Sequence, residues 1–162
     1  MSAFYRYQQA VDFLQGLSNL PQKNYMRDQS DPSIYLKRME YFLELLNHPE
    51  RGFNYIHVTG TAGKGSVTNL LHEILLADGK RVGSFTSPTV TSLIEAIRVN
   101  NLFIAPDEFA NLLTSIKPLI DEAYRNSPYG GPSAFEIQLA LGFLYFKKMK
   151  CEWVVLEVGM GG

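Results

Sequence analysis

The stretch from Asn54 to Ser66, NYIHVTGTAGKGS, decides how the rest of the chain is read. Tyr55, Ile56 and Val58 form a short apolar run rich in β-formers, and Gly60, Gly63 and Gly65 follow with Lys64 and Ser66 among them. This is the pattern of a buried strand breaking into a glycine loop. From Val67 the period changes, with Leu70, Leu71, Ile74 and Leu75 at helical spacing, so the loop leads into the N-terminus of a helix. Glycines let successive backbone N–H groups turn toward one point, and the first helical turn adds free donors and the positive end of its dipole. Such a loop suits phosphate. Lys64 adds a mobile positive charge for the outer phosphates, and the Ser66 hydroxyl is placed to meet Mg²⁺ or a phosphate oxygen. The spacing is not that of G-x-x-x-x-G-K-[ST], because Val58 takes the place of the first glycine and Gly65 separates Lys64 from Ser66. The string is the shorter G-T-x-G-K-G-S.

Outward from this stretch the chain alternates helices and strands. On the N-terminal side, Phe4 to Leu17 places Ala10, Phe13, Leu14 and Leu17 on one helical face, Asn19 to Asp31 reads as a loop, and Pro32 to Asn47 reads as a second helix capped by Asp31. Its apolar residues Ile34, Leu36, Met39, Phe42, Leu43 and Leu46 exceed one narrow stripe, which predicts a largely buried helix. On the C-terminal side, Asp78-Gly79-Lys80 is a turn and Arg81 to Phe85 a second strand, parallel to the first through a right-handed crossover. Ile97 to Val99 and Leu102 to Ile104, joined by Asn100-Asn101, read as a hairpin. Pro106 to Asn126 is a long helix containing Pro118, and Ser127 to Pro132 a link. Ser133 to Met149 is a further helix with Phe135, Leu139, Phe143 and Phe146 inward, and Trp153 to Val158 is a third strand beside the glycine-loop strand.

The chain has 162 residues, 46% of them hydrophobic, and a formal net charge of -1, which fits an ordinary α/β domain and gives no nucleic-acid footprint. Cys151 is the only cysteine, so no internal disulfide can form and a reducing compartment is expected. No basic region followed by an apolar run opens the chain, and no segment is long enough to span a bilayer, which places the protein in the cytoplasm with no membrane partner. The sequence stops at Gly161-Gly162, inside a strand-to-helix glycine turn, so the expectation is the N-terminal piece of a longer protein.

Outside the loop, Glu157 is the most informative residue. A carboxylate near the C-terminal end of a buried strand is costly to keep charged unless it is paired or holds a metal. Two readings follow, an ion pair to Lys64 that fixes geometry or a Mg²⁺ ligand beside a nucleotide. Ser87 in FTSP reads by itself as a turn former. His57 is expected as a packed core histidine, His48 at a helix end and His72 near a helix surface, with no pair at metal-ligand spacing. Cys151 has no base partner in the sequence pattern. Ser133 and Glu136, three residues apart, form a capping box.

Three strings in order, TGTAGKGS from Thr59, FTSP from Phe85 to Pro88 and LEVGMGG from Leu156 to Gly162, resemble the folylpolyglutamate synthase/dihydrofolate synthase branch of the Mur ligase family. The resemblance covers Pro32 to Gly162. It implies an α/β fold, a P-loop-containing, mostly parallel sheet flanked by helices, present here as an incomplete Mur ligase central domain over residues 1–162 with 1–31 as a helix-and-loop extension. It implies ATP held by Gly60, Thr61, Gly63, Lys64, Gly65 and Ser66, Mg²⁺ held by Ser87 and Glu157, and Lys64 and Glu157 in catalytic roles. The family's third metal ligand, a histidine, would lie beyond Gly162. The segment Ser133, Ala134, Phe135 and Glu136 maps onto a pterin contact, and Ser33 to Leu36, SIYL, onto another where the family has D-L-G-L or similar. The implied activity adds L-glutamate to a dihydropteroate or reduced folate carboxylate through an acyl phosphate, by a protein monomeric when full length. The chain departs from the family at Ala62, where asparagine is usual, at Thr89 after T-S-P, where histidine is common, and at Ile94-Glu95-Ala96-Ile97-Arg98, where N-E-R-I-R is common; Glu95 and Arg98 are candidate charged contacts. Two alternatives stay open: an ATP-binding module without ligase activity of its own, or another Mur-type amide ligase. A P-loop NTPase switch fits less well, since the loop spacing differs and no guanine-recognition motif is present.

Overall fold

A computed structural model describes residues 2–18 and 33–159. The loop expected over Asn19 to Asp31, the cap Asp31, the helix-opening Pro32 and the last three residues lie outside the described residues.

In chain order the elements are α1 (Ala3–Ser18), α2 (Ser33–Leu45), β1 (Asn54–Val58), α3 (Lys64–Ala77), β2 (Val82–Phe85), a 3₁₀ turn (Leu93–Ala96), β3 (Ile97–Val99), β4 (Leu102–Phe103), α4 (Pro106–Asn126), α5 (Ala134–Lys148) and β5 (Trp153–Glu157). The five strands make one sheet in the order β1-β5-β2-β3-β4. β5 pairs in parallel with both β1 and β2, so the two strands joined by α3 are parallel with the third inserted between them. The expected hairpin is present, and it joins the same sheet: β3 runs antiparallel to β2 and β4 antiparallel to β3. The sheet is therefore mixed, with its parallel half carrying the glycine loop.

Alternation along the strands sorts residues onto two faces. Phe85, Ile97 and Val154 face a large core completed by Leu14 of α1, Phe42 of α2, Phe109 and Ile120 of α4 and Phe146 of α5. Val58, Val82 and Val155 face the other way and are covered by Leu71 and Leu75 of α3. The approach of α5 to β2 is close because residue 83 is glycine: a Cβ there would lie 2.5 Å from the Phe146 ring. Burying a phenylalanine against bare backbone in this way stabilises by about 2 kcal/mol or more through area alone.

Several expectations are corrected. Among the described residues β1 stands at the edge of the sheet rather than buried within it, with β5 on one side and Tyr55 and His57 exposed. In α2, Phe42 and Leu46 are buried but Tyr35 and Leu36 face outward, Leu36 at 68% exposure. In α3 the buried positions are Thr68 and His72, while Leu70 and Ile74 are exposed. Period alone reports that a helix has apolar residues, not which of two apolar faces meets the sheet.

Candidate functional site

β1, β2 and β5 all end at the same edge of the sheet, and each hands on to a loop that carries one of the three sequence strings. Parallel strands force this: their C-terminal ends lie side by side, at the edge where open α/β sheets bind ligands. After Val58, the glycine loop turns through Gly60 and then Gly63, whose φ of 74° places it in the left-handed region immediately before α3. A residue with a Cβ is strained there, so glycine is what lets the helix start at Lys64 with its N–H groups facing the loop. Thr61, Ala62, Gly63 and Ser66 are exposed.

Lys64 Nζ donates to the Gly60 carbonyl at 2.9 Å. The Lys64–Glu157 ion pair weighed above does not form. Glu157 ends β5, and its Oε2 accepts the Ser87 N–H at 3.1 Å, tying the β5 end to the FTSP loop. A Cβ on Gly65 would sit 3.6 and 3.9 Å from the two Glu157 oxygens, so the carboxylate lies directly against the glycine loop. A Cβ on Gly159 would lie 3.6 Å from Ser87 Oγ and 2.9 Å from Phe135 Cζ. Gly65, Ser87, Glu157, Gly159 and Phe135 thus converge. Phe135, expected inward, is 41% exposed and stands edge-on to Phe85 with ring centroids 5.8 Å apart.

The donor set fits a hard cation. Glu157 spends Oε2 on the Ser87 N–H and leaves Oε1 without a donor among the described residues, and the residue bonded to it carries a hydroxyl; carboxylate and hydroxyl oxygens are what Mg²⁺ selects. No group of three or more histidine, cysteine, aspartate or glutamate side chains able to hold a metal occurs among the described residues.

At the start of α5 the capping box forms as expected: Ser133 Oγ accepts from the Glu136 N–H, and Glu136 Oε2 accepts from the Ser133 N–H at 2.7 Å. Sequence reasoning missed what else Glu136 does. It is buried, and Arg38 of α2, itself 4% exposed, grips it: Nε lies 3.1 and 2.9 Å from Oε1 and Oε2, and Nη2 lies 3.0 and 2.9 Å from them. The available signal was an arginine set within the apolar positions Ile34, Met39 and Phe42 of a helix.

The histidines are also redistributed. His57 is exposed and lines an apolar hollow of about 330 Å³ beside β1 with Met39, Leu43, Tyr55, Leu139 and Phe143. His72 is fully buried, its Nε2 2.8 Å from the Asn100 carbonyl, and burial holds it below the ordinary histidine range. It is buried where the β3–β4 turn offers that carbonyl. His48 follows α2 and bonds Glu50 at 3.0 Å. Burial pushes the Cys151 thiol up to about 12, which removes it as a nucleophile at neutral pH. Glu95 is held by Thr91 and the Val90 N–H, and Arg98 by Glu73, so both charged candidates have partners within the chain. Ala96, where the family commonly carries arginine, is buried.

The fold and these three converging loops define a P-loop-containing α/β domain. No family model matches the chain. The dihydrofolate synthase/folylpolyglutamate synthase of Bacillus subtilis is 40% identical over 128 residues, covering 78% of this chain and 30% of that protein. The folylpolyglutamate synthase of Mycobacterium tuberculosis, solved with ADP, superposes with a TM-score of 0.85 at 28% identity, covering 99% of this chain and 34% of that one. A complex of FPGS with AMPPCP and folate superposes with a TM-score of 0.81 at 28% identity, covering 96% and 36%. Over the part they share, the chain is similar to folylpolyglutamate synthase/dihydrofolate synthase proteins. It spans about a third of the length of the relatives it matches. No helix among the described residues is long and apolar enough to cross a membrane.

Proposed function

We propose that this chain supplies the ATP-binding part of a ligase that joins L-glutamate to a folate-type carboxylate. Gly60, Thr61, Gly63, Lys64, Gly65 and Ser66 bind the phosphates of ATP, through loop N–H groups, the α3 N-terminus and the Lys64 ammonium. Ser87 and Glu157 hold Mg²⁺, which when bound neutralises charge on the phosphate oxygens. In the proposed reaction the substrate carboxylate attacks the γ-phosphorus, the bond to the β-phosphate oxygen breaks to release ADP, and an acyl phosphate forms. The amine of glutamate then displaces phosphate to give the amide, losing a proton. Lys64 moves from the Gly60 carbonyl to the outer phosphates, where it stabilises charge on the transferring group. Ser133, Ala134, Phe135 and Glu136 form the pterin side of the site. Dihydropteroate and reduced folates are the acceptors, and the full-length protein acts as a cytoplasmic monomer.

The observation that carries this reading is the Glu157 carboxylate, set against Gly65 and bonded to the Ser87 N–H, which joins all three loops at one point. Calorimetry of Mg²⁺-dependent ATP binding, with Lys64→Ala as the comparison, tests it. The expected result is a loss of affinity of at least about tenfold, or 1.4 kcal/mol. Undiminished binding by the variant, or no binding by folded protein, overturns the assignment. A second reading, a nucleotide-binding module without ligase activity on its own, is favoured for the isolated chain by its span of about a third of its relatives.

A further inference from the structure

We propose that Arg38 is a positioning residue for the acceptor side of this site; the inference rests on the ligase reading above. Three observations carry it. First, the Arg38 guanidinium reaches from α2 across 98 residues of sequence to Glu136 and grips both its oxygens while almost wholly buried. Second, the same Oε2 that Arg38 holds also accepts from the N–H and the hydroxyl of Ser133, at 2.7 and 2.8 Å, so the ion pair fixes the residue that starts α5. Third, Phe135 lies between those two residues in sequence, and its ring is set against Gly159 and Phe85, beside the Ser87 hydroxyl.

The pair therefore fixes where the first turn of α5 stands relative to the loops at the sheet edge. The link before this helix start, Ser127–Pro132, is tied to α4 through the Tyr124 hydroxyl on the Pro132 carbonyl at 2.9 Å, but that contact ends before Ser133 and leaves the α5 cap to be placed against α2. Arg38 supplies that placement by anchoring Glu136 to α2. The guanidinium is also under-used: Nη1 is buried and has no hydrogen-bond partner among the described residues. A lysine or an apolar residue would avoid that cost, so a fork gripping one carboxylate is being kept for its geometry. The consequence is specific. Loss of the pair should move Phe135 and impair acceptor binding while leaving the glycine loop, whose helix α3 packs on the opposite face of the sheet from α5, able to hold nucleotide.

Removing one partner alone strands a buried charge and risks unfolding. The decisive variant is the double change Arg38→Met with Glu136→Gln, which leaves no unpaired charge and keeps a side chain able to complete the capping box. It is to be made in the full-length protein, with Glu136→Gln alone and Arg38→Lys beside it, and steady-state KM for the folate substrate measured together with AMPPCP affinity by calorimetry. The expected result is a folate KM in the double variant raised tenfold or more over both the parent and Glu136→Gln alone, AMPPCP affinity within twofold of the parent, and a partial return of KM toward the parent value in Arg38→Lys. A folate KM in the double variant equal to that of the parent or of Glu136→Gln alone overturns the proposal, as does an equal loss of AMPPCP affinity, which would mark the pair as general scaffolding. If the parent protein shows no folate-dependent ligase activity, the ligase reading itself falls, and this proposal with it.

Discussion

One face of the sheet presents Phe85, Ile97 and Val154 to side chains from four helices, whereas the other presents Val58, Val82 and Val155 to α3. The first face is a conventional core, with Phe42, Phe109 and Phe146 fully buried. The second is thin, and it is the one whose covering helix begins at the glycine loop. The contrast separates two tasks. The thick face holds the sheet together, so that the C-terminal ends of β1, β5 and β2 are fixed in register. The thin face leaves α3 and its loop with few buried contacts, and segments that must accommodate a ligand are drawn from such regions.

If the two faces differ in this way, deletion of buried atoms should cost unequally. Phe146→Ala is expected to destabilise by about 3–5 kcal/mol, since the ring fills the space over Gly83 and its loss leaves a cavity in a closely packed layer. Val155→Ala, on the thin face, removes the equivalent of two methylene groups and is expected to cost about 1.5–2.5 kcal/mol. Urea denaturation of both variants decides the matter, and similar midpoints would falsify the division into a strong and a weak face.

His72 sharpens the comparison because it is the polar anchor of the thin face. Burial disfavours the charged imidazole in the folded chain, and Nδ1 has no hydrogen-bond partner among the described residues. Its folded pKa lies below the unfolded value near 6.5, so the unfolded state takes up the proton first. The resulting stability is fully present above pH 6.5 and is lost as the pH falls from there through the folded pKa. The slope contributed is at most about 1.4 kcal/mol per pH unit for one proton. Denaturation midpoints measured from pH 7.5 to 5, in the parent and in His72→Gln, should converge at the acid end. A parent curve with the same slope as the variant would show that His72 does not titrate with unfolding.

What could be read from the sequence follows from how local each feature is. The strand, loop and helix around Gly63, the Asn100-Asn101 hairpin and the Ser133–Glu136 capping box are settled by residues within a few positions of one another, and all three are present. The convergence of Gly65, Ser87 and Glu157 was legible because three strings in a known order imply parallel strand ends. The Arg38–Glu136 pair was not, since its halves lie on separate helices and neither has a local reason to be buried. The histidines went wrong for a related reason. Among the described residues His57 faces out where β1 stands at the sheet edge, and His72 faces in because a turn 28 residues later supplies a carbonyl. Burial of a polar residue is decided by its distant partner.

The same limit produces the smallest prediction. α3 carries two apolar rows, and spacing alone could not say which row meets the sheet. Leu71 packs against Val58, Val82 and Val155, while its neighbour Leu70 is 61% exposed. Both are leucines on one helix with the same intrinsic propensity, so a difference between their alanine variants isolates packing from helix formation. Leu71→Ala is expected to cost about 2 kcal/mol, and Leu70→Ala to change stability by less than about 0.5 kcal/mol. Alanine is also the better helix former, which biases the Leu70 variant slightly toward stabilisation. Paired denaturation curves measure the difference directly, and a Leu70 variant as damaged as the Leu71 variant would mean that the outer row is covered and the face is not thin.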